Sequence, residues 1–275
     1  MRLAAVLTLI ALLPQARTGA SRLILAAVTD ARGRAIVDVG ADDFVVEEAG
    51  ANRDILSARV ADYPIVLLLD TGAAARNDFG LMQRAAQRFV ERLGHDRPMA
   101  VGTFGDTPRM LTRFDDPHET VLARLGEVVA SDGDSRLLSG AAMAAATLQA
   151  TGSLFSSVVI LSATASDASR DSAEQALAPI VDSGTIVHVI ANRDVGSLAG
   201  RYDRALRALV EQTRGEYTTV YSSASYQAAL DRLVDRLGSE MLIEYLVPPD
   251  SKPLDAKIGI RLSGARVRGL GVAPK

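Results

Sequence analysis

The chain has no cysteine and no tryptophan, three histidines, and only 4% aromatic residues in 275. Without cysteine, disulfides, thiolate catalysis and cysteine-bound zinc are excluded, although the compartment is not fixed by this. Charge of one sign is also missing: 30 basic residues face 33 acidic ones, for a formal net charge of −3. A nucleic-acid binder normally shows a basic face, so no nucleic acid is expected as a partner. Arg201, Arg204 and Arg207 recur at three-residue spacing on an expected helix and read as a solvated face. Neither a Gly-x-Ser-x-Gly elbow nor a phosphate loop occurs. His188 lies within an apolar strand and reads as packed. His95 follows a helix end, and His118 opens a helix after Pro117. Asp132-Gly133-Asp134 hints at a calcium loop, but the closing glutamate position holds Met143, so these acids read as a turn.

No apolar run reaches the ~20 residues needed to span a bilayer. Leu3 to Leu13 is interrupted only by Thr8, follows Arg2, and precedes the small residues Thr18-Gly19-Ala20. That is the layout of a secretory signal peptide over residues 1–20, cleaved before Ser21. The mature chain is therefore expected to be secreted or periplasmic, with no membrane insertion. Losing Arg2 and Arg17 takes its net charge from −3 to −5.

What is present is organised around Ile65-Val66-Leu67-Leu68-Leu69-Asp70. An unbroken apolar run reads as a strand buried on both faces, as in a parallel sheet flanked by helices. Ligands in such sheets sit beyond the carboxyl ends of strands, where Asp70 stands. Strand and helix patterns alternate from Tyr63 to about Gly238. The apolar residues Met82, Ala85, Ala86, Phe89 and Val90 carry one helix, and an Ala-rich helix is expected to open at Ser135. Short strands fill 21–60 and return over 241–275. The expected organisation is an N-terminal β segment (21–60), an α/β domain (61–240) and a C-terminal β segment (241–275) that pairs with the first into one small β unit.

This order of elements resembles a von Willebrand factor A-type domain, in the variant found in secreted bacterial proteins. Val28-Thr29-Asp30-Ala31-Arg32-Gly33-Arg34 resembles that variant's entry segment, and Asp42-Asp43-Phe44-Val45-Val46 the strand after it. Val66 to Asp70 matches the first core strand, and Thr213-Arg214-Gly215-Glu216-Tyr217 the turn before the last one. Ile243-Glu244-Tyr245-Leu246-Val247 and Val267-Arg268-Gly269-Leu270-Gly271 resemble the closing strands. The resemblance implies a doubly wound, mainly parallel sheet with helices on both faces, and binding rather than catalysis. It also implies a magnesium site at the top of the sheet.

The ligand pattern of that site is incomplete here. Asp70 matches the family's first aspartate, but the two serine positions hold Gly72 and Ala74. Ser135 matches the threonine position, and the second aspartate is replaced by Ala163. A small hard cation wants near-octahedral oxygen ligands, so the reading is no bound metal and no cofactor. Asp70, Thr71, Gly72, Ser135 and Asp167 become candidate ligand-binding positions, with another protein as partner. Metal-dependent adhesion through substitute ligands such as Asp106, Asp134 or Asp167 is the alternative. Asp70-Thr71-Gly72-Ala73 also spells the motif of a retroviral-type aspartic protease, which would need a homodimer to pair two aspartates. The strand–helix alternation after Asp78 argues against that all-β enzyme.

Overall fold

The computed structural model describes residues 20–94, 97–163, 167–169, 173–192, 201–249 and 256–274. The expected signal peptide (except Ala20), His95 and the side chains of Arg201 and Arg204 lie outside the described residues, as does part of the 163–170 loop. In chain order the elements are β1 (Ala20–Asp30), β2 (Phe44–Glu48), β3 (Ala51–Arg53), β4 (Ile55–Val60), β5 (Ile65–Leu69), α1 (Phe79–Leu93), β6 (Met99–Thr103), β7 (Arg109–Met110), α2 (His118–Gly126) and α3 (Leu137–Gln149). They continue with β8 (Ser157–Ser162), α4 (Ala173–Asp182), β9 (Ile186–Asn192), α5 (Arg201–Gln212), β10 (Tyr217–Val220), α6 (Ser225–Gly238), β11 (Glu240–Val247), β12 (Ala256–Ile260) and β13 (Ala265–Pro274).

The apolar runs form the central sheet, in the order β10-β9-β8-β5-β6-β7. All its pairs are parallel except β6 with the short β7. β5, β6 and β8 are buried at every position, so both faces need helices. One face packs on α1, α2 and α6 through Met82, Phe89, Leu125, Leu230 and Leu237. The other packs on α3, α4 and α5 through Leu137, Ala141, Leu148, Ile180 and Leu209. This is the expected doubly wound sheet. The stripe on α1 recurs every three to four residues, as one buried helix face requires.

Both chain ends fold together beside this core. β1 lies between β11 and β13 in a four-stranded antiparallel sheet, with Ile24 opposite Ile243 and Val28 opposite Val267. β2 pairs with β12 and β3 in a second, three-stranded sheet. The two sheets share a core of Ile24, Ala26, Val28, Phe44, Val46, Ile243 and Tyr245. Alternation along β1 sends Leu25 and Ala27 to the opposite side, into the cluster that includes α1 and α6. The flanks thus build two facing sheets around one shared core.

Other boundaries differ for local reasons. Residues 35–37 do not extend β1, and only a single bridge joins Thr29 to Ala35. β13 runs past Leu270 to Pro274 because it keeps pairing with β1 beyond a bulge at Leu25/Ala26. The Ala-rich helix begins at Leu137, because Ser135 is engaged elsewhere.

Candidate functional site at the crest of the central sheet

Asp70 directly follows β5, between the carboxyl ends of β8 and β6. Its backbone N–H donates to the Leu161 carbonyl at 2.9 Å, which holds it in line with the sheet. The residue is fully buried. A buried carboxylate must find donors, and this one has four. Oδ1 accepts from the Gly72 N–H at 2.9 Å and from the Ser135 hydroxyl. Oδ2 accepts from the Ala163 N–H at 3.0 Å and from the Ser162 hydroxyl at 3.4 Å.

Gly72 permits this arrangement. A Cβ at this position would lie 2.2 Å from Ser135 Oγ and 3.0 Å from Ser135 N. The hydroxyl of Ser135 therefore occupies the space that a side chain at position 72 would need. Thr71 is buried beside them, but its Oγ1 faces Gly105, where a Cβ would stand 2.5 Å away. Its carbonyl accepts from the N–H of Ser131 at 2.6 Å and the hydroxyl of Ser131 at 2.8 Å. The Ala73 N–H donates to the Gly133 carbonyl at 2.8 Å. The loop after β5 is thus stitched to the loop before α3. Arg76 pairs with Asp132 across the rim, and Arg136 with Asp106 at 3.0 Å.

Asp167 has a different task. Its Oδ1 accepts from the Leu138 N–H at 3.1 Å and from the Ser169 hydroxyl at 2.7 Å, and Ser169 Oγ accepts from the Ser139 N–H at 3.1 Å. The first turn of α3 has no side-chain cap of its own, so this loop supplies one. The second oxygen of Asp167 is buried without a hydrogen-bond partner among the described residues. Asp134 is exposed and Asp106 is engaged by Arg136. Ala74 is exposed in a short 3-10 turn, Ala73–Ala75. The structure therefore joins Asp70, Gly72 and Ser135 directly, sets Thr71 alongside them, and docks Asp167 on α3.

Tyr226 was not singled out by sequence reasoning. It sits in the first turn of α6, fully buried, and its hydroxyl donates to the Ser162 carbonyl at 2.5 Å. Burial, with Asp70 and Asp78 nearby, raises its pKa well above the ordinary phenol value, so it stays a donor. Its only sequence signal is an aromatic residue on the apolar stripe of a helix, which reads as core.

The packing at Gly72 makes a prediction. Gly72→Ala should destabilise the fold by about 1–3 kcal/mol through overpacking. Ser135→Gly, which removes the nearest colliding atom, should cost less on that background than in the unmodified protein. Urea unfolding of the two single variants and the double variant measures this coupling.

A family model described as a von Willebrand factor type A domain matches residues 65–165. The match begins with β5 and extends past Asp70, Gly72 and Ser135 to the Ala163 turn. Residues 65–165 are thus similar to a von Willebrand factor A-type domain. Among solved structures, a von Willebrand factor type A protein from Catenulispora acidiphila superposes with a TM-score of 0.56 at 12% identity, covering 94% of this chain and 74% of that one. Proximal thread matrix protein 1 from the mussel byssus, with a zinc-occupied MIDAS motif, superposes with a TM-score of 0.54 at 16% identity. That match covers 70% of this chain and 49% of the mussel chain. The D319A mutant of the PilB minor pilin from Streptococcus sanguinis gives 0.53 at 11% identity, covering 79% and 78%. At these identities the shared property is the fold. A comparison with curated proteins returned no match. A-type domains are commonly protein-interaction modules.

The A-type fold also places the protease-like triplet. Asp70-Thr71-Gly72 ends a parallel strand and leads through a 3-10 turn into α1, whereas an aspartic protease of the retroviral type needs a nearly all-β surround.

Proposed function

We propose that this protein is an exported, non-enzymatic protein-binding module whose A-type domain works without a bound divalent ion. The observation that carries the reading is the saturation of Asp70 by four protein donors. Magnesium wants about six oxygen ligands in near-octahedral geometry. Of the family's ligand positions, only Asp70 and Ser135 keep side-chain oxygens, and these two are bonded to each other. Gly72 and Ala163 instead aim N–H groups at the carboxylate, and an N–H dipole repels a cation. Among the described residues no group of three or more His, Asp or Glu side chains is placed to hold a metal. These residues do not fit the ion.

Partner contact through the crest would use the 71–78 and 131–136 loops, together with 163–170. Arg76, Asp132 and Asp134 give that rim exposed charge of both signs. Export rests on the Arg2 and Leu3–Leu13 pattern. Among the described residues no helix is long and apolar enough to cross a membrane.

Calorimetric titration of the mature protein with magnesium, manganese and calcium tests the ion-free reading. No saturable heat is expected from any of the three. A saturable isotherm for any of them would overturn it in favour of adhesion through substitute ligands.

A further inference from the structure

α6 starts at the crest with Tyr226 and runs to Gly238, so its far end lies at the opposite edge of the central sheet. There a cleft of about 1130 Å³ opens between the last turns of α6, the paired strands β1 and β13, and the turn after β1. Six arginines line it: Arg32, Arg34, Arg232, Arg236, Arg266 and Arg268. They come as three close pairs from segments far apart in sequence, in a chain whose net charge is negative. The antiparallel pairing sets Arg266 opposite Thr29 and Arg268 opposite Ala27, on the sheet face that meets α6.

Four of the six form no direct ion pair among the described residues. Arg34 pairs with Asp30 at 2.7 Å and Arg236 with Glu216 at 2.5 Å. The one acid of the lining among the described residues, Asp235, is held at 2.8 Å by Arg92. Arg32, Arg232, Arg266 and Arg268 make no side-chain hydrogen bond or ion pair among the described residues. Two neighbours register the resulting field. The pKa of Arg268 is held below its ordinary value by burial and by Arg236, against the opposing pull of Glu240 and Glu216. His188, beneath the cleft, is driven down first by burial and then by Arg236 and Arg268.

We propose that this cleft binds an extended, carboxylate-rich peptide segment of a partner protein. Planar guanidinium forks match carboxylates in two-point contacts, and arginine sheds water more readily than lysine. The cleft exceeds the usual ~300–1,000 Å³ of a small-molecule pocket, which suits a stretch of chain. Between the charges lie Ala35, Val267 and Val37, the last 52% exposed, so small apolar side chains have somewhere to rest between carboxylates. Among the described residues no aromatic side chain lines the cleft, and single-stranded nucleic acid relies on such stacking platforms. A concave groove also suits a strand of peptide better than a lipid surface. The site lies apart from the crest and outside residues 65–165, so it is a second binding surface independent of the ion-free reading.

The test is fluorescence anisotropy with a labelled ten-residue peptide of alternating glutamate and valine. Controls are the same peptide with glutamine for glutamate, a ten-nucleotide oligothymidine, and phosphatidylglycerol vesicles. The glutamate peptide should bind saturably. Its affinity should fall about tenfold or more as salt rises from about 0.05 M to about 0.5 M. Arg32→Glu/Arg266→Glu alters two exposed, unpartnered side chains, so its circular dichroism should match the unmodified protein while peptide affinity falls at least about tenfold. Equal binding of the glutamine peptide, no peptide binding at about 1 mM, or undiminished binding by the double variant would overturn the proposal. So would tighter binding of the oligonucleotide or vesicles through the same arginines.

Discussion

Asp70→Ala should lower the unfolding free energy by about 3–5 kcal/mol, because it strands several buried donors at once. The Gly72 and Ala163 N–H groups and the Ser135 and Ser162 hydroxyls all point at this carboxylate. Each buried donor left unsatisfied costs about 1–3 kcal/mol, reduced where a water enters the space. The sign separates two roles. A carboxylate held in readiness for an absent cation repels its neighbours, so its removal in metal-free buffer would leave stability unchanged or raise it. A carboxylate that anchors three loops gives a loss. Asp70→Asn should fall between, since one oxygen still accepts while the new amide meets donors on the other side. Chemical denaturation in the presence of a chelator distinguishes these outcomes through the midpoint, with the slope reporting whether the crest alone has loosened.

The second large effect concerns His188. It lies on β9, fully buried, and neither ring nitrogen has a hydrogen-bond partner among the described residues. Burial is the main cause of a pKa pushed down to about 3, with Arg236 and Arg268 adding to it. The folded protein therefore keeps a neutral ring in acid where the unfolded chain takes up a proton at its ordinary value, about 6.5. Stability from this site is intact above about pH 6.5 and is lost as pH falls below it, at about 1.4 kcal/mol per pH unit until the folded ring itself titrates. His188→Leu removes that slope. It should also stabilise the protein at neutral pH by about 1–3 kcal/mol, because two unpaired polar atoms leave the interior. Glu240 acts in the opposite sense. Its pKa is raised by burial, against the lowering influence of the Tyr63 hydroxyl and of Arg97, Arg236 and Arg268, so its contribution falls as pH rises through its range. Thermal unfolding of both proteins from pH 7.5 to 4.5 reads the difference. Parallel curves would refute the assignment.

The central strands were legible because an apolar run ending in aspartate has few alternatives in a chain that then alternates strand and helix. The vacancies at Gly72, Ala74 and Ala163 were legible too, since those positions lack ligand oxygens. The filling of the space at Gly72 was not, because Ser135 lies 65 positions away from Asp70 and only the packing of α3 on β5 brings them together. Asp167 was legible as a nearby acid, but its acceptance of the α3 N–H groups depends on where that helix begins. Tyr226 reads as ordinary core until the fold sets it under Ser162. The arginine cleft was invisible for a different reason. Net charge averages over the chain, while β13, α6 and the turn after β1 collect six like charges at one spot.

The position of β1 has a consequence for how the molecule is made. Ala20 pairs with Val247 and Arg22 with Pro274, so β1 is held by strands far along the chain from it. Until those strands pair with it, Ile24 lacks the cover of Met241 and Ile243, and Leu25 that of Leu242 and Leu270. Closing so long a loop is slow relative to local helix formation. Pairing of β1 with β11 and β13 is accordingly a late-closing contact, and the two apolar faces of β1 stay partly open until it forms.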